Sequence, residues 1–251
     1  MQAVVLAGQR NNGRLEAAAP VEYEALIPIA GRPMVEYVVR ALAGHPRVDS
    51  VRVVGPSSGE IPVVPIVPGA SLWENIDRGL EGLDPDVSVL VATADIPLLT
   101  TAVVEAFLTA ADTHAEIVYP LIPEAVLKSR FPTAQRTYFR FREGVYTGGN
   151  LFLVKPRVTA GLAVSGPRLL EHRKSPLRLA QDVGTGVLIK FLLGRLSISD
   201  VEKQAGRLLG VDGRALVLAH PEVGMDVDKP ADLVLVEEAL VHAKERGEDR
   251  A

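Results

Sequence analysis

The sequence predicts an α/β protein: a mainly parallel central sheet with helices on both faces and a helical excursion in the C-terminal half. Three observations support this. Short apolar runs rich in Val, Ile and Leu alternate with amphipathic stretches whose apolar residues recur at helical spacing. Those runs are apolar on both faces, as parallel strands covered by helices must be. The chain has 251 residues, 47% of them hydrophobic, enough for one large core.

The first strand is Ala3–Ala7, an unbroken apolar run that ends at Gly8. Further strands are expected at Val51–Val54, Val63–Val67, Val87–Ala92, Ile117–Pro120, Leu151–Val154 and Ala215–Ala219. Helices are expected at Met34–Ala43, Leu72–Leu83, Thr101–Thr113 and Ala231–Arg246. Ser71 and Thr100 stand where N-caps belong, and Asp228 with Pro230 marks the entry to the last helix. From Pro156 to about Asp212 only helical patterns occur: Pro167–His172, Leu177–Asp182, Val187–Leu193 and Asp200–Leu209. The expectation is a single domain over residues 1–251, with the excursion at about 156–212 packed against the sheet before a final strand.

Composition narrows the function classes. The net charge is −4 with both signs interspersed, which argues against a nucleic-acid partner. There is no cysteine, so disulfides, thiolate metal sites and cysteine nucleophiles are excluded. The N-terminus lacks the basic region of a secretory leader, and no window approaches the roughly 20 apolar residues of a membrane helix. A cytoplasmic protein, monomer or homodimer, with no membrane partner is expected.

Two features suggest chemistry. Gly8-Gln9-Arg10-Asn11-Asn12-Gly13-Arg14-Leu15 follows the first strand. It is not a P-loop, because Arg14-Leu15 stands where Lys and Ser or Thr are needed. It is not a dinucleotide fingerprint, because residue 10 is arginine. Its amides, with Arg10 and Arg14, can still face anionic oxygens, although an ordinary loop with solvated arginines fits equally well. The second feature is Asp95, just past the carboxyl end of a central strand, where ligands bind in open α/β sheets. A turn or cap aspartate is the plainer alternative. Gly224-Met225-Asp226-Val227-Asp228 adds two carboxylates that strand alternation would put on one face, and one of them could complete a Mg²⁺ site with Asp95.

Together and in this order, these segments resemble the MobA-like NTP transferases, nucleotidyltransferases of the glycosyltransferase-A-like (nucleotide-diphospho-sugar transferase) fold. The resemblance rests on Val5-Leu6-Ala7-Gly8 through Gly13-Arg14-Leu15 and on Leu26-Ile27-Pro28-Ile29-Ala30-Gly31-Arg32-Pro33-Met34. Asp95-Ile96-Pro97-Leu98-Leu99, Gly148-Gly149-Asn150 and Asp226 through Leu233 complete it. It implies transfer of an NMP group from an NTP to a phosphorylated acceptor, a sugar phosphate or cofactor precursor, with release of pyrophosphate. It also implies nucleotide contacts at Leu6, Ala7, Gly8, Gly13, Arg14, Ser71 and Asn75, and acceptor contacts at Gly149, Asn150 and Lys174. Catalytic roles would fall to Arg14, Asp95 and Asp228, with Mg²⁺ on Asp95, Asp228 and Asp226.

One residue departs from that pattern. Family members commonly carry a lysine before the Leu-x-Pro segment, and here Tyr23-Glu24-Ala25 places a carboxylate there. The first lysine of the chain is Lys128, and Gln9 replaces the usual second glycine. A non-catalytic, nucleotide- or sugar-nucleotide-binding member of the same fold is therefore the alternative. A sugar-nucleotide glycosyltransferase is disfavoured, because no Asp-x-Asp pair ends the mid-chain strand.

Overall fold

A computed structural model describes residues 1–57, 59–159 and 185–246. Strand β1 (Gln2–Leu6) leads through the Gly8–Arg14 loop and a 3-10 turn (Glu24–Leu26) to a small hairpin, β2 (Pro28–Ile29) and β3 (Arg32–Pro33). Helix α1 (Met34–Ala43), β4 (Ser50–Val54), β5 (Val64–Ile66), α2 (Leu72–Leu80), β6 (Val89–Thr93) and α3 (Thr101–Ala110) follow. The second half contains β7 (Ile117–Pro123), α4 (Glu124–Arg130), β8 (Phe139–Phe141), β9 (Gly144–Gly148) and β10 (Leu151–Val154). It ends with α5 (Thr185–Leu192), α6 (Ile198–Leu209), β11 (Gly213–Val217) and α7 (Pro230–Glu245).

Nine strands form one sheet, in the order β5-β4-β1-β6-β10-β7-β9-β8, with β11 pairing parallel to β7. The pairings make β5, β4, β1 and β6 a parallel core, and only β9 and β10 run against the other strands. The expected mainly parallel sheet is therefore present. β1 is buried on both faces: Ala3 and Val5 face the larger cluster with Met34, Val38, Phe107 and Val236, whereas Val4 and Leu6 face Val54, Leu80 and Val91. α1, α3 and α7 cover the first face and α2 the second, which is why β1 shows no polar alternation.

The expected caps hold. The Ser71 hydroxyl accepts from the Glu74 N–H at 3.1 Å and starts α2, and the Thr100 hydroxyl accepts from the Val103 N–H and starts α3. Asp228 does not cap α7. Lys229 occupies that position without a side-chain bond, and the Asp232 carboxylate accepts from the Asp228 N–H at 3.2 Å instead. Of the expected excursion, α5 and α6 are present, while Pro167–His172, Leu177–Asp182 and Lys174 lie outside the described residues. Upstream of β10, the sequence does not predict β8, β9 or α4. Their short, arginine- and glycine-interrupted sequences carry little periodicity. No helix among the described residues is long and apolar enough to cross a membrane.

One irregularity positions the site. β9 and β10 both pair antiparallel with β7, but the register slips by two residues across Gly149 and Asn150. Leu121 faces Gly148, and Val118 faces Leu153 where an unbroken ladder would bring Leu151. A Cβ on Gly149 would come within 2.7 Å of Val223, 2.8 Å of Ile122 and 2.9 Å of Pro120. Gly149→Ala is therefore expected to cost about 1–3 kcal/mol by overpacking, measured by chemical denaturation. The extra residues free the Asn150 backbone to bridge two segments: its C=O accepts from Thr93 N–H at 3.1 Å and its N–H donates to Val223 C=O at 2.9 Å.

Candidate active site

The carboxyl ends of β1, β4, β5 and β6 and the start of β10 meet at one edge of the sheet. On the β1 side lies the Gly8–Arg14 loop. It is tied to the following segment by Asn11 N–H to Glu22 C=O (2.9 Å) and Glu24 N–H to Gln9 C=O (3.0 Å). Asn11, 8% exposed, pins the loop from beneath by donating to Ala19 C=O at 2.9 Å and Val21 C=O at 3.2 Å. Arg10 is already engaged, paired with Glu22 and stacked 4.6 Å from the Tyr23 ring centroid. Arg14 is exposed and has no ion-pair or hydrogen-bond partner among the described residues. The N–H groups of Gly8, Gly13 and Arg14 also have no partner among the described residues. These groups are the donors the loop can offer to an anion.

The side chains of Leu6 and Ala7 are buried in the core, so only their backbone reaches this edge. Asn75, which the resemblance implies as a nucleotide contact, is 5% exposed. Its Oδ1 accepts from Gly69 N–H at 2.7 Å, and its Nδ2 packs so closely on Gly8 that a Cβ there would sit 2.7 Å away. Asn75 thus joins the Pro68–Ser71 turn to the loop. Glu74 and Arg78 brace the same turn. Glu74 accepts from Ala70 N–H at 2.7 Å, and Arg78 donates to Val67 and Pro68 carbonyls at 2.9 and 3.1 Å.

On the other side of this edge, one carboxylate oxygen from each of Asp95, Asp226 and Asp228 lies within 4.8 Å of the others. The backbone enforces this convergence. Ala94 N–H donates to Leu6 C=O, and Val227 N–H donates to Asp95 C=O at 2.9 Å, which fixes the turn after β6 to the segment before α7. Asp226 and Asp228 lie in irregular extended chain, not in a strand, yet both reach the cluster. The Thr93 hydroxyl donates to Asp95. Arg136, in the long connection between α4 and β8, was not foreseen. Its guanidinium is 8% exposed and contacts Asp226 and Asp232, each at 3.1 Å. It also donates to the Gly224 and Asp226 carbonyls at 3.1 and 2.5 Å. Asp232, fully buried in the first turn of α7, is thereby the second anchor of this segment. Arg136 sits in a stretch without periodicity, so no sequence pattern marks it.

Four carboxylates share this space. Burial raises Asp95 to about 6, with the Thr93 hydrogen bond opposing the rise and the charges of Asp228 and Glu24 adding to it. Burial also raises Asp226 to about 7, with repulsion from Asp95 and Asp228 adding to the rise and Arg136 opposing it. Glu24 is raised by burial and by Asp228. A raised carboxyl pKa means that the native state holds protons the unfolded chain has released, so stability falls as pH rises through this range. Relative to Asp95→Asn, the metal-free protein is expected to lose stability between pH 3.8 and about 6 and to lose no more above that. Paired melting curves across that window check this. Three converging carboxylates, Asp95 and Asp226 among them with raised pKa values, and one shared guanidinium suit a hard divalent cation, which takes a few protein oxygens and completes its shell with phosphates and water.

A mainly parallel core whose carboxyl edge carries both the Gly8–Arg14 loop and a carboxylate cluster fits a nucleotidyltransferase. The chain belongs to the MobA-like NTP transferase family, whose domain model matches residues 3–163. Solved structures agree. A hypothetical transferase from Thermus thermophilus is 43% identical, with a TM-score of 0.81 over 92% of this chain and 98% of that one. CMP:2-keto-3-deoxy-manno-octonic acid synthetase in complex with CTP shares the fold at 13% identity, with a TM-score of 0.63 over 96% and 98% of the two chains. 4-Diphosphocytidyl-2C-methyl-D-erythritol synthase does so at 16% identity, with a TM-score of 0.57 over 95% and 98%. No protein of curated function matches the sequence.

Proposed function

We propose that the protein is a Mg²⁺-dependent nucleotidyltransferase that moves an NMP group from an NTP to a phosphorylated small-molecule acceptor, releasing pyrophosphate. The observation that carries this is the convergence of Asp95, Asp226 and Asp228 at the sheet edge that also presents the Gly8–Arg14 loop. Asp95, Asp226 and Asp228 would hold the cation, which when bound supplies charge neutralisation and a template for phosphate oxygens. The free amides of Gly8, Gly13 and Arg14, with the Arg14 guanidinium, bind triphosphate oxygens. Asn75 keeps the loop in register by its contact with Gly8, and Ser71 starts the helix beside it. Gly149 and Asn150 lie on the acceptor side, where the Asn150 backbone is bonded next to Asp95. Little covalent work falls to the protein in such a reaction, because orientation and charge account for most of the acceleration.

Incubating the protein with Mg²⁺, each of the four NTPs and a set of sugar and polyol phosphates tests the proposal by pyrophosphate release. One NTP–acceptor pair is expected to give turnover. Binding of an NTP without turnover with any acceptor would favour a second reading, a non-catalytic nucleotide-binding member. That reading draws on the Glu24 carboxylate beside the loop, which has no ion-pair partner among the described residues.

A further inference from the structure

The chain that carries Asp226 and Asp228 has no regular structure of its own: Met225 to Lys229 belong to no helix or strand. Its backbone groups must therefore find partners elsewhere, and one buried ion pair supplies several of them. Arg136 Nε lies 3.1 Å from Asp226 Oδ1 and donates to Gly224 C=O at 3.1 Å. Nη2 donates to Asp226 C=O at 2.5 Å, and Nη1 donates to Asp232 Oδ1 at 3.1 Å. The second oxygen of Asp232 accepts from the Asp228 N–H at 3.2 Å. The pair thus grips Asp226 by its carboxylate and carbonyl, and Asp228 by its amide. Asp232 is not itself one of the three converging carboxylates.

We propose that the Arg136–Asp232 pair positions the cation site, presenting Asp226 and Asp228 to the divalent ion while neither member of the pair touches it. This rests on the reading of Asp95, Asp226 and Asp228 as cation ligands. The proposal has a sign that separates it from a simple charge effect. If Arg136 acted only as a nearby positive charge, it would repel the cation, and its removal would tighten binding. As a positioning residue it acts the other way, so loss of its geometry loosens binding. The planar guanidinium fork engages several groups at once, which the point charge of a lysine cannot reproduce.

The test uses two charge-conserving variants, Arg136→Lys and Asp232→Glu, with Arg136→Ala beside them. Mn²⁺ affinity without nucleotide is measured by calorimetry, at a temperature where denaturation curves show each variant folded. Removing a partner that orients a metal ligand typically costs about 10–100-fold in affinity, and each variant is expected to bind Mn²⁺ at least about tenfold more weakly than wild type. Because both substitutions conserve charge, either one decides the question if the other does not fold. Asp232→Asn serves if neither folds, since its single carbonyl oxygen cannot accept from both Arg136 and the Asp228 amide. A lower melting temperature with unchanged Mn²⁺ affinity would assign the pair a purely structural role and overturn the proposal. Tighter Mn²⁺ binding by Arg136→Ala would overturn it too, as the mark of a mere charge. If wild type binds no Mn²⁺, the reading of the aspartates as ligands fails first, a result distinct from wild-type binding that the variants leave unchanged.

Discussion

Asp95→Asn is expected to reduce nucleotidyl transfer by about 10²–10³-fold, the usual effect of removing one preorganised charge-stabilising group from a transferring phosphoryl centre. The protein should remain folded. Asparagine fills nearly the same volume, and its carbonyl oxygen can still accept the Thr93 hydroxyl. It also relieves repulsion with Asp228, Asp226 and Glu24. Above neutral pH the variant should melt no lower than wild type, which separates a lost cation ligand from a damaged fold. Steady-state kinetics with saturating Mg²⁺, alongside a melting curve, checks both halves of the expectation.

Arg136→Ala should act the other way, through structure as much as chemistry. Its guanidinium is buried, bonds three carbonyls and pairs with two carboxylates. Truncation leaves Asp232 without its only cationic partner among the described residues, and Asp226 with none to offset the negative charges of Asp95 and Asp228. Breaking a buried pair of this kind costs about 3–5 kcal/mol. The segment from Gly224 to Asp226 loses its tether, so activity should fall with stability. Saturating Mg²⁺ should recover part of the lost stability, because a bound cation replaces some of the missing positive charge. Denaturant unfolding with and without Mg²⁺ measures both effects.

Much of the architecture was legible in the sequence because its signals are local and strong. Ala3–Ala7 and Val87–Ala92 are too apolar for anything but central strands, and Ser71 and Thr100 are unambiguous caps. Asp95 stands out by its place past the carboxyl end of a central strand, and Asp226 with Asp228 by their spacing; the fold shows that the three converge. Three things were not legible. The hairpin-like β8 and β9 carry too few residues for a period to emerge. The burial of Asn75 is hidden because it comes from contact with Gly8, 67 positions away in the chain. Arg136 owes its importance entirely to long-range contacts with Gly224, Asp226 and Asp232, which no spacing rule encodes. The same holds for Glu24: the sequence identifies the departure, and only the fold shows that its carboxylate lies beside Gly13 of the loop.

The most direct test of the cation-dependent nucleotide site is the thermal shift of wild-type protein with each of the four NTPs, in Mg²⁺ and in EDTA. A ligand at a hundredfold excess over its Kd stabilises the native state by about 2.7 kcal/mol, which is readily seen at this size. At least one NTP is expected to raise the melting temperature in Mg²⁺ and to have little effect in EDTA. An equal shift in both buffers, or no shift with any NTP, would contradict the account.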